Sequence, residues 1–327
     1  MMKYKTIAFQ AFIINSLFFI FLVVGLFSAS VFLFSYYQNG DQVHYRLFYE
    51  AIRDYSFISA YFSAFNYIGA SDPVSILIIW FGSHAGFDKD VYMSFFNSIM
   101  AISLYFLCRR FRSGFLFFFL LLMSYYFLVL MTGAERLKFA YIFLLIAMLL
   151  GGGGRIVFLL LAVLSHFQMI LLLPSVFLYK FYPNIKKAVF SLKVDRIQMF
   201  GALSIFMAVA FFLLIFWDRI FSKYKAYAEG AFRFESLLQV FVLLVIAIVV
   251  TNNWKRMFVS LSPFFLSVYF LGGERVNMIA VTFFIGAVLV ENKAKHPFIM
   301  LLLVYLLIKS FVFVENIFLY GNGFGNS

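Results

Sequence analysis

The chain has little with which to do redox or metal chemistry. Its single cysteine, Cys108, has no partner for an intramolecular disulfide, and the four histidines, at 44, 84, 166 and 296, are scattered without metal-ligand spacing. Charge is scarce too: Asp, Glu, Lys and Arg make up 12% of 327 residues, which excludes a soluble globular domain. Internal repeats and low-complexity linkers are missing beyond the run Gly151 to Gly154, so a single domain over 1–327 is expected.

What is abundant is apolar and aromatic surface. Aliphatic, aromatic and sulfur residues account for 65% of the chain, with 50 Phe alone, and apolar runs of roughly 15 to 25 residues recur from end to end. In lipid every backbone group must find its partner within the protein, so such runs imply helices. The fold class expected is all-α: a polytopic membrane helix bundle. Full spans, about nine of them, are placed near 11–35, 91–108, 114–131, 137–150, 198–217, 236–251, 257–271, 276–290 and 298–314. The first, behind Lys3 and Lys5, is too long for a signal peptide and reads as an uncleaved span.

Two apolar stretches do not fit the scheme. "PVSILIIWFGSH" at 73–84 is too short to cross, and Asp72-Pro73 is a good helix start, so a short or re-entrant helix is expected. The stretch 156–181 is long and is interrupted by Ser165-His166 and Pro174. With Lys3 and Lys5 inside, Arg109, Arg110 and Arg112 also fall inside, and the charge pattern favours a re-entrant path for 156–181, because that path keeps the group Lys180, Lys186, Lys187, Lys193 and Arg196 inside as well. Much of the net charge of +12 then sets topology rather than marking a nucleic-acid partner. Left on the outer face, unexplained by topology, are Arg46, Arg53, Lys89, Arg136, Lys138, Arg219, Lys223, Lys225, Arg233, Arg275 and Lys309. The longest outer loops are 36–72 and 218–235.

Charged residues at the mouths of apolar helices carry the functional signal, because buried charge is costly and usually faces a cavity or a partner. In "GAERLKFA", Glu135 and Lys138 are three apart and can pair, which leaves Arg136, 100° away on the helix, for other work. "GGERVNMIA" repeats the pattern with Glu274 and Arg275. Two Glu-Arg pairs at outward helix starts suggest a shared anion site, and a guanidinium fork suits a diphosphate. His166, deep in an apolar segment, offers an imidazole for proton transfer or a hydrogen bond to a neighbouring helix; the sequence leaves both open.

The outer loops add a second layer. "GDQVHYRLFYEAIRD" sets Asp41, Tyr45 and Arg46 among aromatics, as a carbohydrate-facing surface would. Equally, Tyr45, Phe48, Tyr49 and Ile52 share the face of an amphipathic interfacial helix. In 218–235, Arg219, Lys223, Tyr224 and Arg233 form a basic and aromatic mixture that suits a sugar phosphate, though an interfacial aromatic belt accounts for part of it.

The order Asp41-Tyr45-Phe48, "DPVSILIIWFGSHAGF", "GAERLKFA", "LAVLSHFQMILLLP", "GGERVNMIA" resembles the bacterial O-antigen and exopolysaccharide repeat-unit polymerases, the Wzy and EpsG-like families, over most of the chain. The resemblance implies a glycosyltransferase of the bacterial inner membrane that needs no cofactor and no metal. It joins undecaprenyl-diphosphate-linked repeat units at the periplasmic face, with the lipid bilayer, a chain-length regulator and a flippase as further partners. It implies roles for Arg136 and Arg275 on the donor diphosphate, for His166 as base or diphosphate ligand, and for Asp41 and Tyr45 in the first loop. Glu135 and Asp41 are reserve bases. The sequence departs from the pattern at Asp72-Pro73, where relatives often have Glu-Pro, and at Glu135, where many are neutral. A flippase or transporter of lipid-linked sugars and an O-antigen ligase are the competing readings.

Overall fold

The computed structural model describes residues 2–69, 71–191, 234–271 and 273–325. Among these residues the chain is helical, with no strand. Contacts gather into two compact units, Met1–Phe167 with Met300–Ser327 and Gln168–Ile299.

The first unit opens with α1 (Met2–Tyr36), followed by α2 (Asp41–Ala51), α3 (Phe57–Ile68) and α4 (Pro73–His84). Next come α5 (Lys89–Arg110), α6 (Phe115–Leu122), α7 (Tyr125–Thr132), α8 (Glu135–Leu149) and α9 (Gly152–Ser165). Helix α5 packs on α1 and α8, and α9 packs on α8 and α4. With apolar side chains on every face, helix packing here leans on polar contacts. Asn97 of α5, fully buried, donates to the Met131 carbonyl of α7 (2.9 Å) and to Ser30 of α1. Gly82 lets α4 approach α5 closely: a Cβ there would run into the Tyr92 ring, whose hydroxyl donates to the Ile78 carbonyl (2.9 Å).

In the second unit, a 3-10 turn (Phe167–Leu171) that starts at the end of the first leads into α10 (Leu172–Ser191). Helices α11 (Phe234–Val250), α12 (Trp254–Leu271) and α13 (Gly273–Val290) follow; α12 and α13 pack on α10, and α11 packs on α12 and α13. Arg256 of α12 lies over the Tyr179 ring (3.7 Å) and donates to the Tyr179 carbonyl. The Tyr179 hydroxyl in turn donates to Glu291 (2.7 Å), which fastens α10 to the end of α13. Helix α14 (Pro297–Tyr320) returns to the first unit from Met300 on. There the Asn39 amide N–H donates to the Gly321 carbonyl (2.8 Å), and its side chain donates to the Tyr320 carbonyl (2.7 Å).

The apolar helices mark a membrane protein. By length and composition, three described helices can cross a membrane, Phe18–Tyr36, Lys89–Arg110 and Pro297–Tyr320, or five if each of two bent pairs is one span. The nine expected spans are therefore not all present as single helices. The run 114–131 is two helices bent by 52° at Met123-Ser124, where the Ser124 hydroxyl bonds back to the Leu121 carbonyl (2.7 Å). The run 137–150 is a 15-residue helix, 236–251 and 276–290 form short apolar helices, and 198–217 lies outside the described residues.

The short helix expected at 73–84 is α4, 12 residues long and turned 104° from α3. The expected break near His166 is also there: α9 ends at Ser165, and His166 is extended. Pro174 causes no break. It sits in the first turn of α10, where its missing N–H costs no intrahelical bond.

Candidate functional site

From Glu135 to Ile142 every side chain of α8 is buried, so the three charges of its first turn all point into protein. Consecutive residues on a helix diverge by 100°, and Glu135 and Arg136 accordingly enter two different networks.

Glu135, with no exposed surface, accepts from Lys89 Nζ (2.6 Å) and from the Gln42 amide (2.9 Å). Lys89 also donates to Gln42 Oε1 (2.7 Å), and the Gln42 amide reaches the Thr132 carbonyl. This corrects the expected Glu135–Lys138 pair. Lys138, equally buried, holds its Nζ 5.2 Å from the Phe34 ring centroid and has no hydrogen-bond partner among the described residues. The reason is competition: a local pair three residues apart is worth a few tenths of a kcal/mol, whereas Lys89 delivers a short, charge-assisted bond to a fully desolvated carboxylate. Lys89 stands over the same Phe34 ring, at 5.5 Å.

Arg136 is not left over by that exchange. Its Nη1 donates to Asp72 Oδ2 (2.6 Å) and its Nε to the Tyr45 hydroxyl (3.1 Å). Burial pushes the Tyr45 phenol up from its ordinary value against the opposing charge of Arg136, so Tyr45 accepts that bond as a neutral hydroxyl. Asp72 Oδ1 accepts from the backbone N–H of Phe167 (3.3 Å), and Oδ2 lies 3.5 Å from His166 Nδ1. Asp72, Arg136 and His166 are each at least nine-tenths buried.

Asp72 is the residue that sequence reasoning missed as a site. In the sequence it stands out as a helix start before Pro73 and as a position where the resembled families often carry Glu, and its side chain makes no cap to its own helix. Lys89 and Gln42 were missed in the same way. Lys89 stood among the outer-face cations that topology leaves unexplained, while Gln42 carried no signal.

The other expected residues scatter. The face Tyr45, Phe48, Tyr49 and Ile52 is real, and it is buried, with α2 packed on α3 and α4. Asp41 is exposed in the first turn of α2, one turn before the buried Tyr45 on the same side of the helix. Arg46 pairs with Asp90 (3.0 Å) and donates to the Phe34 carbonyl (3.0 Å). Arg275, half-buried in the first turn of α13, belongs to the second unit. The Glu274 side chain and the whole of Arg219, Lys223, Tyr224 and Arg233 lie outside the described residues.

Chemically, the Arg136 cluster offers a fixed guanidinium, a carboxylate and an imidazole in a dry site. Two cations, Arg136 and Lys89, stand against two carboxylates, Asp72 and Glu135, with the Lys138 amine buried beside them. Among the described residues no three His, Cys, Asp or Glu side chains gather as a metal-ligand set. No protein-family model, curated protein or solved structure matches the chain, so its likeness to polysaccharide polymerases rests on the quoted residues alone.

Proposed function

We propose that this protein is a membrane glycosyltransferase that polymerises undecaprenyl-diphosphate-linked oligosaccharide repeat units in O-antigen or exopolysaccharide synthesis. In this reading it works at the periplasmic face of the bacterial inner membrane, as one membrane domain crossing about nine times. The observation that carries the reading is that Arg136 and His166, both singled out in the sequence as chemistry-bearing, meet on one buried carboxylate oxygen, Oδ2 of Asp72.

The transfer forms one bond and breaks one. The acceptor hydroxyl oxygen attacks the anomeric carbon of the donor chain, its proton passes to His166, and the bond from that carbon to the diphosphate oxygen breaks. The electron pair leaves with undecaprenyl diphosphate. Charge builds on the departing oxygen, and the fixed Arg136 guanidinium stabilises it in a low-dielectric site, an effect worth on the order of 10²–10³ in rate. Arg275 enters this reading by the repeated Glu-Arg pattern and by the likeness.

The test is reconstitution of the purified protein with lipid-linked repeat units, with a lipid A core offered as a competing acceptor. The expected result is a ladder of polymer, lost roughly 100-fold or more in Arg136→Lys and His166→Asn. Normal ladders from both variants overturn the residue assignment. Transfer to the core alone makes the protein a ligase, and movement of the lipid-linked unit without any new bond makes it a flippase.

A further inference from the structure

Asp72 opens α4, where an aspartate ordinarily turns back to cap the first N–H groups of its own helix. It does not do so here. Pro73 at the first helical position has no N–H to satisfy and fixes its own φ, so this helix start needs a cap less than most. The carboxylate is free to turn the other way, into protein, and three elements converge on it: the Arg136 guanidinium from the start of α8 (2.6 Å), the Phe167 N–H from the 3-10 turn (3.3 Å) and the His166 imidazole from the break after α9 (3.5 Å).

The backbone at that break is the costly part of the arrangement. His166 has φ −158° and ψ 111°, and the chain passes straight from it into a 3-10 turn whose first N–H groups have no intrahelical acceptor. Asp72 takes one of those N–H groups with Oδ1. It turns Oδ2 to Arg136 and to His166 Nδ1, so the ring is addressed by a carboxylate on that edge.

We infer that Asp72 is a positioning residue, which holds the break at His166 in place and fixes the His166 tautomer with the proton on Nδ1, leaving Nε2 as the proton acceptor. The catalytic consequence rests on the glycosyltransferase reading given above; the tautomer does not. A carboxylate accepts only, so its approach to 3.5 Å of Nδ1 favours the neutral ring with its hydrogen on that nitrogen. Asp72 itself need touch no substrate. It acts through the ring and through the guanidinium, which it holds a fixed distance from the base.

The experiment is nitrogen NMR of histidine-labelled protein in lipid nanodiscs, run beside the polymerisation assay. Only four histidines contribute, and His166→Asn assigns the signal. In the wild type, His166 is expected as the Nδ1–H tautomer. Asp72→Asn places an amide that can donate where the carboxylate only accepted, and should shift the ring toward the Nε2–H tautomer. The same change should lower kcat roughly 10²- to 10⁴-fold with little change in KM for the lipid-linked donor. Asp72→Glu should restore the wild-type tautomer and part of the rate, which a loss of packing would not. Because Asp72→Asn leaves Arg136 buried without its counter-charge, Asp72→Asn combined with Arg136→Gln serves where the single variant fails to fold; its His166 signal should show the same shift. A wild-type tautomer in folded Asp72→Asn, or in the double variant, overturns the inference whatever the polymerisation assay shows. A switched tautomer in a protein that forms no polymer even as wild type leaves the inference standing and removes the proposed function.

Discussion

Helices α4 and α5 both start behind an aspartate, and the two aspartates behave in opposite ways. Asp88 is exposed, and its Oδ1 accepts from the Val91 N–H (3.0 Å), an ordinary cap within its own helix. Asp72 is buried, caps nothing, and turns both oxygens to groups 64 to 95 residues away in sequence. The backbones before the two helices are alike, with extended φ and ψ at both residues. The difference lies in the next residue and in the surroundings: Pro73 reduces the need for a cap, and a guanidinium is waiting in an environment too dry to leave it alone. A helix-start aspartate that ignores its helix is therefore a sign of a demand elsewhere.

That contrast can be tested to breaking point. Asp72→Ala strands Arg136 in the protein interior and should cost about 3–5 kcal/mol in reversible unfolding from mixed micelles. Adding Arg136→Met should recover most of that loss, since removing both charges leaves neither uncompensated. Tyr45→Phe keeps the ion pair and removes the acceptor for Arg136 Nε, so it should cost about 1–3 kcal/mol by the same measurement. Asp88→Ala should cost about 1 kcal/mol, the usual worth of an exposed cap, and leave the His166 signal unchanged. If Asp88→Ala proves as damaging as Asp72→Ala, the distinction between the two helix starts collapses. Smallest of all, Asp90→Asn breaks a partly exposed pair with Arg46, and its effect of about 0–1 kcal/mol should shrink further in high salt.

The sequence made the coarse architecture readable because hydropathy is a property of local runs. The same holds for the buried face of α2, whose Tyr45, Phe48, Tyr49 and Ile52 recur at helical spacing, and for the break at His166, flanked by polar side chains. The 52° bend between α6 and α7 was illegible, because the residues around Met123 and Ser124 stay apolar while the axis turns. The pairing around α8 was illegible for another reason. Glu135 had an obvious local partner in Lys138, and only the three-dimensional packing of α5 against α8 supplies Lys89 instead. Arg136 and His166 stood out as chemistry-bearing residues; that they share one aspartate is a fact of long-range contact, which no spacing rule encodes.

The clasp between Asn39 and the backbone at Tyr320 and Gly321 sets a schedule for biosynthesis. One partner is made early and the other after nearly three hundred further residues, because the first unit is written in two pieces, with the second unit between them. A ribosome delivers the chain in order, so α1 and its neighbours must wait in the membrane, their last contacts unmade, while all of the second unit is synthesised. During that interval the early helices are a substrate for quality control, and release of the last helix is what ends their exposure.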